Sequence, residues 1–560
     1  MQTFEEEKKE LSDLLELSDI KKNTIISNII NVHSFSKSIN ISDDVYKDTK
    51  IDIWTESLPV LDGSKILINS FIKNPIDDIE ILKKRQSTYS NYFLDFSSLK
   101  LYEDDVLWVY KLNDEIKENS LINILYPSSF ILSFINNISP ILELYQFYKI
   151  YVVPLNAVIY PMISILSPWY YFNRYLKFNI SLNTYIDILY KFFKFLFTFS
   201  SNIKVSLIRI IVIISYSLLF IYNSYQIIEY SYMLYNVRCT LLSKLKNLNA
   251  FLEEANKILS SVSSSIIEPF INVKQDNEID LNNNAISVYK LWKNGTIKDN
   301  ISNILMKVYT VDIINSVSKL INRKNWCLVN YTDNTKLWNM KNPVLSISQK
   351  ANPIDLSKNI VITGPNAAGK TTYVKSILSN IILSQCFGIS YSLKADIKIY
   401  NSIISFMRIS DILGSKSYFE VEAEYCANMM NIAKELSEKG HKGLFIMDEP
   451  MHSTPPTEGM STAFAVTEYI GNMTCSDIIL TTHFHKLTYL EEIYPNNFLN
   501  LSVEAIPQEN GNFYFPYCIR KGHSFQCIAI ELLSSKMFPK SVINSAINMK
   551  NKIYNEINSR

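Results

Sequence analysis

Residues 359–372 read Asn359-Ile-Val-Ile-Thr-Gly364-Pro365-Asn366-Ala367-Ala368-Gly369-Lys370-Thr371-Thr372, and this run decides the fold. The β-branched residues Ile360 to Thr363 predict a short strand, and the apolar spacing that continues through Leu383 predicts a helix. Between them lies Gly-x-x-x-x-Gly-Lys-Thr, the P-loop pattern, in the strand–turn–helix context it requires. Gly364 and Gly369 let the turn fold around a phosphate, while backbone N–H groups at the helix start bind the anion. Lys370 is expected to reach the β and γ phosphates, and the Thr371 hydroxyl to ligate Mg²⁺. A chance Gly-Lys-Thr match would lack the flanking strand and helix. The expected nucleotide-binding set is therefore Gly364 through Thr372, with ATP and Mg²⁺ as the implied cofactors.

Downstream, Leu444-Phe-Ile-Met-Asp448-Glu449 is an apolar run that ends in two carboxylates and reads as a Walker B strand. Asp448 is expected to hold Mg²⁺ through water, and Glu449 to polarise the attacking water. A strand ending in Asp-Glu is often only a solvated edge; the P-loop upstream favours the catalytic reading. A third strand, Asp477-Ile-Ile-Leu-Thr481, runs into Thr482-His483-Phe484. His483 then falls beside the γ phosphate, where a ring N–H can donate to a phosphate oxygen. A lone histidine is usually structural, and it is the ordered set of motifs that favours a sensing role. Glu449, His483 and Lys370 are the expected catalytic residues.

Composition bounds the rest of the chain. At 560 residues, three or four domains are expected, and a disulfide miniprotein is excluded. With 47% hydrophobic and 19% charged residues, disorder is excluded as the dominant state. Lys and Arg number 55 against 54 Asp and Glu, which weighs against strong nonspecific DNA binding; Lys83-Lys84-Arg85 reads as solvated surface. Seven cysteines without a Cys-x-x-Cys pair fit a reducing compartment, and Met1 to Glu10 lack the basic start and apolar run of a secretory signal. A cytoplasmic or nuclear protein is expected.

Ten of the 12 glycines lie beyond residue 360 and five of the six histidines beyond residue 440, so a domain boundary is placed near residue 325. The preceding region reads as helical. Leu241, Leu245, Leu248, Leu252, Ala255 and Leu259 form one helical seam, either a lever-like arm or an ordinary helix packed on its own domain. From Phe130 to Tyr235 apolar and aromatic residues dominate. Val205–Tyr222 (205–222) approaches membrane length with one charge, Arg209; Ile150–Leu166 (150–166) is interrupted by Pro154 and Pro161. A buried all-helical core would have a similar composition. The expected segments are 1–129, an N-terminal helical core; 130–235, apolar and potentially transmembrane; 236–324, a helical lever; and 325–560, an α/β P-loop NTPase with a largely parallel sheet.

From about residue 340 onward, these motifs resemble the DNA mismatch-repair MutS ATPases, close relatives of the ABC ATPases. Asn342-Pro343-Val344 resembles the opening of that ATPase domain, Thr363 to Thr372 its phosphate loop, and Gln385-Cys-Phe-Gly388 the segment after its first helix. Most diagnostic is Met407-Arg-Ile-Ser-Asp411 followed by Ser417-Tyr-Phe-Glu420-Val-Glu422, which looks like the family's Arg-Ile-x-x-Asp and Ser-Thr-Phe-x-x-Glu signature. The resemblance implies that the helix near Ser417 faces ATP held by a second subunit, with Ser417 and Glu420 as the residues acting in trans, and hence a homodimer or heterodimer. By residue type alone Ser417 is equally a plain N-cap. Thr454, Glu458 and Gly459 fall where the family has Thr, Asp and Gly, and Lys521-Gly522-His523-Ser524 resembles its closing segment. Leu58-Pro-Val-Leu-Asp-Gly63, Phe71-Ile-Lys-Asn-Pro75 and Arg85-Gln86 look like the start of its helical core.

Ala367 and Ala368 depart from the family's Met and Gly, Pro450-Met-His452 replaces a Gly-Arg-Gly stretch, and no Phe-x-Glu mismatch-reading motif is found near the start. The resemblance implies an ATPase that switches helical levers on DNA, in mismatch repair or recombination-related maintenance, without mismatch reading by that motif. The alternative is a membrane-anchored relative acting on a protein or lipid partner.

Overall fold

The computed structural model describes residues 17–32, 39–89, 94–115, 120–127, 129, 131–198, 203–272, 279, 281–293, 295–407, 418–452, 455–508, 513–524, 526, 528, 530 and 538–558. They form two compact units, one of residues 1–25, 101–256 and 276–304, the other of residues 26–100, 257–275 and 305–560. This grouping cuts the chain differently from the four segments expected from sequence. The division at 235/236 falls within one continuous helix, Ile203–Ser260, and residues 26–100 join the unit that carries the P-loop.

That second unit is built on a seven-stranded sheet. Its strands are β1 (Asn40–Ile41), β2 (Asn359–Thr363), β3 (Ser402–Phe406), β4 (Gly443–Asp448), β5 (Ser476–Thr482), β6 (Phe498–Val503) and β7 (Ile519–Lys521), in the order β1-β3-β4-β5-β2-β6-β7. All pair in parallel except β7, which runs antiparallel to β6. Every residue of β2, β3 and β5 is buried. The apolar runs at their centres, Ile360–Ile362, Ile403–Ile404 and Ile478–Leu480, follow from a parallel sheet covered on both faces. Three helices matter for the site: α1 (Lys370–Phe387), α2 (Tyr418–Lys439) and α3 (Pro456–Gly471). Met429 and Ala433 of α2 and Ala463, Val466 and Ile470 of α3 share a buried cluster with Phe445, Met447, Ile478 and Leu480.

Residues from the first hundred are structural parts of this unit. Asp312 Oδ2 accepts the backbone N–H groups of Val60 and Leu61 at 3.0 and 2.9 Å, and Gly63 packs where a Cβ would lie 2.0 Å from the Tyr309 ring. At the other end of α1, three side chains meet the last carbonyls of the helix. Arg85 Nη1 donates to Cys386 O, Tyr89 Oη to Phe387 O at 2.8 Å and Gln86 Nε2 to Gly388 O at 2.8 Å. A helix leaves its final carbonyls without intrahelical partners, and a cation there also complements its dipole. Arg85 is not solvated surface: it is buried, donates to Pro269 O at 3.0 Å and lies over the Phe71 and Phe270 rings. Lys83 and Lys84 are exposed.

The first unit holds no strand among the described residues. Of the predicted seam, Leu241, Leu245, Leu248, Leu252 and Ala255 are buried and Leu259 partly so. The seam up to Ala255 belongs to this unit, where Lys244 Nζ reaches Asp105 at 2.7 Å and lies over the Trp108 ring, and Leu259 belongs to the second. The stretch before it is not a buried core. Leu207 to Ile228 of helix Ile203–Ser260 and most of Val153–Arg174 present large apolar side chains outward.

Candidate nucleotide-binding site

The turn from Gly364 to Gly369 joins β2 to α1 through backbone that few residues accept. Gly364 has φ 146° and Gly369 φ 96°; a Cβ on Gly364 would lie 2.3 Å from Val503 O, and one on Gly369 2.9 Å from the Tyr517 ring. Ala367 takes φ 67°, whereas Ala368 is not at positive φ and therefore needs no glycine. Lys370, the first residue of α1, is buried, with Nζ 2.9 Å from Gly364 O and 3.4 Å from Pro365 O. Burial pushes its amine below the usual lysine range, opposed by the charges of Glu449 and Asp448.

Strand order brings the acidic pair to this turn. β5 lies between β2 and β4, with Thr482 in register with Thr363 and Thr481 with Asp448. Thr371 Oγ1 donates to Asp448 Oδ2 at 2.8 Å, and Thr481 Oγ1 donates to Asp448 Oδ1. Glu449 follows β4 with φ 56°, its N–H donating to Thr481 O at 2.9 Å and its Oε1 lying 3.6 Å from Lys370 Nζ. His483 leaves the end of β5. Its Nε2 is 2.6 Å from Glu449 Oε1, 2.7 Å from Asn366 Oδ1 and 3.3 Å from Lys370 Nζ. A proton on Nε2 serves the two oxygen neighbours; with that tautomer the approach of Lys370 Nζ, a donor only, is a close contact and not a hydrogen bond. The hydrogen bond from His483, more than the Lys370 charge, holds the Glu449 carboxyl below the usual carboxylate range.

A cavity of about 490 Å³ opens over the turn, lined by Pro365 to Tyr373 and Glu449. Leu345, Gln349, Asn352 and Tyr517 also line it, and sequence reasoning missed them. Tyr517 is one of 35 tyrosines in no local pattern. It reaches the site because Asn352 bonds Tyr517 O and the N–H of Ile519, at the start of the edge strand β7. Gly459 is required where it stands, since a Cβ would lie 2.4 Å from Met451 O. Glu420 is exposed in the first turn of α2 and does not line the cavity. Ser417 and Thr454 lie outside the described residues.

A parallel sheet whose inner strand turns through two positive-φ glycines into a helix headed by a buried lysine is the architecture of a P-loop nucleotide-binding domain. Residues 360–554 match the family model of MutS domain V. The DNA mismatch repair protein MutS of Fusobacterium nucleatum is 32% identical over 207 residues, covering 37% of this chain and 22% of that protein. MutS of Petrotoga mobilis is 27% identical over 271 residues, 46% of this chain and 32% of that protein. MutS of Prochlorococcus marinus (strain MIT 9312) is 31% identical over 223 residues, 38% and 24% respectively. The chain thus spans between about a fifth and a third of the length of these relatives.

Proposed function

We propose that this chain is a MutS-type ATPase that hydrolyses ATP at a dimeric, ABC-like site and uses the nucleotide state to move helical levers on DNA, in mismatch repair or recombination-related maintenance. One observation carries the reading: residues of three separate motifs come together at the turn, with Thr371 bonded to Asp448 at 2.8 Å, and Glu449 and His483, 2.6 Å apart, lying 3.6 and 3.3 Å from Lys370 Nζ. The donor set fits Mg²⁺, because a hydroxyl and a carboxylate at 2.8 Å are the hard oxygen ligands that this cation takes. Bound there by Thr371 and Asp448, Mg²⁺ would neutralise charge on the β and γ phosphates.

The chain's own residues do the rest. The turn from Gly364 to Gly369 cradles the phosphates, and Lys370 is the cation at its centre. Glu449, kept ionised by His483, accepts a hydrogen bond from the attacking water and orients it in line with the γ phosphorus. His483 keeps a proton on Nε2, ready to donate to a phosphate oxygen. Tyr517 and Leu345 offer an apolar wall for the base. In this reading Ser417 and Glu420 belong to the surface that completes a partner's site, and bridging by that surface supplies the differential affinity that a ligand-driven switch needs.

Steady-state hydrolysis by wild type, Glu449→Gln and Lys370→Ala tests the reading. Glu449→Gln is expected to bind ATP but hydrolyse it at least about a hundredfold more slowly, and Lys370→Ala to lose binding; equal rates in all three refute it. A second reading, a membrane-anchored MutS-like ATPase acting on a protein or lipid partner, is favoured by the outward apolar side chains of helix Ile203–Ser260.

A further inference from the structure

The helical unit carries two long helical stretches, Ser139–Arg174 and Leu207–Ser260, whose most apolar 18-residue windows have mean hydropathies of 1.7 and 1.8. The share of each window buried is 6% and 0%. Soluble core helices reach such hydropathy only by being buried, so these side chains need an apolar medium from elsewhere.

The medium must surround the helix. At 3.6 residues per turn, Leu207, Leu218 and Tyr222 point one way and Val212, Tyr216 and Phe220 roughly the opposite way, yet all six are exposed. A second copy of the chain or a partner protein would cover one stripe and leave the other wet. A helix that is apolar on all sides is a core helix or a membrane span, and this one has no core around it.

Length and end groups agree. The 19 residues Ile210–Ile228 contain no Asp, Glu, Lys or Arg, and span about 28 Å as a helix, close to the roughly 30 Å of a bilayer's hydrocarbon. Residues 150–173, charge-free between Lys149 and Arg174, reach about 36 Å, enough with some tilt. Pro161 and Pro168 lie inside the first helix, and such prolines are tolerated in spans. Aromatic rings mark both ends, as at membrane interfaces. Tyr151, at the start of the first stretch, and Tyr235, seven residues past the end of the second, meet with ring centroids 6.4 Å apart, and the Trp169 Nε1–H donates to Ile180 O at the far end. The connection between the stretches carries Arg174, Lys177, Lys191, Lys194, Lys204 and Arg209 against Asp187, a charge balance that suits anionic headgroups.

We infer that residues 150–173 and 210–228 insert into a phospholipid bilayer as a helical hairpin. This deepens the second reading above and rests on it, but it is stricter: a membrane-bound ATPase could also be held at the surface by a partner.

The test is flotation of the full-length chain with vesicles of phosphatidylcholine, alone or mixed with phosphatidylglycerol, before and after molar salt and alkaline carbonate. Insertion predicts flotation with both lipids, greater with the anionic one, and resistance to both washes. Ile163→Arg and Leu218→Arg, each near the middle of a stretch and exposed in the folded chain, are expected to cut the vesicle-bound fraction at least about tenfold. ATP binding by the same preparations checks that the variants are folded. Flotation that carbonate strips away overturns insertion while leaving a membrane-bound ATPase standing. No flotation overturns both, including the case in which sedimentation shows the arm pairing two copies and Leu218→Arg dissociating them.

Discussion

Arg85→Met is expected to destabilise the nucleotide-binding unit even though Arg85 lies 285 positions before Lys370 and no motif contains it. The side chain is 2% exposed and donates to Pro269 O and Cys386 O while lying 5.4 and 4.9 Å from the Phe71 and Phe270 ring centroids. Each hydrogen bond from a charged donor contributes about 1.5–3 kcal/mol, and each ring contact about 1 kcal/mol. Methionine keeps much of the apolar volume but leaves two carbonyls without these donors. The opposing effect is desolvation: burial pushes the guanidinium below its usual range, and removing a buried charge recovers that cost. The balance is a loss of about 3 kcal/mol, a large share of the 5–15 kcal/mol typical of a domain. In a unit of this size the melting temperature would fall by about 5 °C. Because the chain has two units, the transition is followed by a probe within one of them, ATP-analogue binding during urea unfolding. A loss below about 0.5 kcal/mol, the size of a surface substitution, would refute the assignment.

Gly364→Ala is expected to abolish detectable ATP binding, because the new Cβ meets Val503 backbone rather than a side chain that can rotate away; calorimetric titration with ATP checks it, and unchanged affinity would contradict the cradle. Thr371→Val keeps volume but removes the hydroxyl facing Asp448, so the Mg²⁺ concentration for half-maximal hydrolysis should rise at least about tenfold; an unchanged requirement would remove Thr371 from the metal site. The Glu449 pKa is lowered in the folded chain from an ordinary value of 4.5, so the stability it contributes is present above that value and is lost as pH falls through the lowered one. The acid limb of hydrolysis attributable to Glu449 should therefore lie below 4.5 and move upward in His483→Ala, which removes the largest cause of the shift. A limb that stays put in that variant would break the pairing.

The parts of the site that sequence made legible are those whose context is local. Ile360 to Thr372 carries strand, turn and helix start within one short run, and Asp448, Glu449 and His483 sit at strand ends that the apolar pattern marks. What could not be read depends on distant pairing. Asn40–Ile41 becomes an edge strand only because β3, more than 350 positions on, offers it a parallel partner. Arg85 sits in a basic triplet that resembles surface, and its partner Cys386 is 301 residues away. Tyr517 enters the cavity two residues before an antiparallel edge strand of three residues, Ile519–Lys521, which is too short for an apolar pattern to mark. The apolar stretch was ambiguous because hydropathy reports composition, whereas burial, which separates a core from a lipid-facing surface, depends on what packs around it.

Both ends of α1 are electrostatically complemented, and this separates stability from ligand affinity. Its N-terminus forms the phosphate turn, and its C-terminal carbonyls are held by Arg85, Gln86 and Tyr89. A helix of 18 residues spans about 27 Å, well beyond the screening length of about 8 Å at physiological salt. The Arg85 charge therefore cannot act appreciably on a phosphate at Lys370 through space; it can act only if the helix shifts as a rod. If Arg85 is a cap, Arg85→Met lowers stability while the ATP dissociation constant of the folded protein stays within about threefold, equivalent to under 1 kcal/mol. A larger change in affinity at temperatures where the variant is fully folded would show that α1 moves on binding and that the chain's first hundred residues take part in the switch.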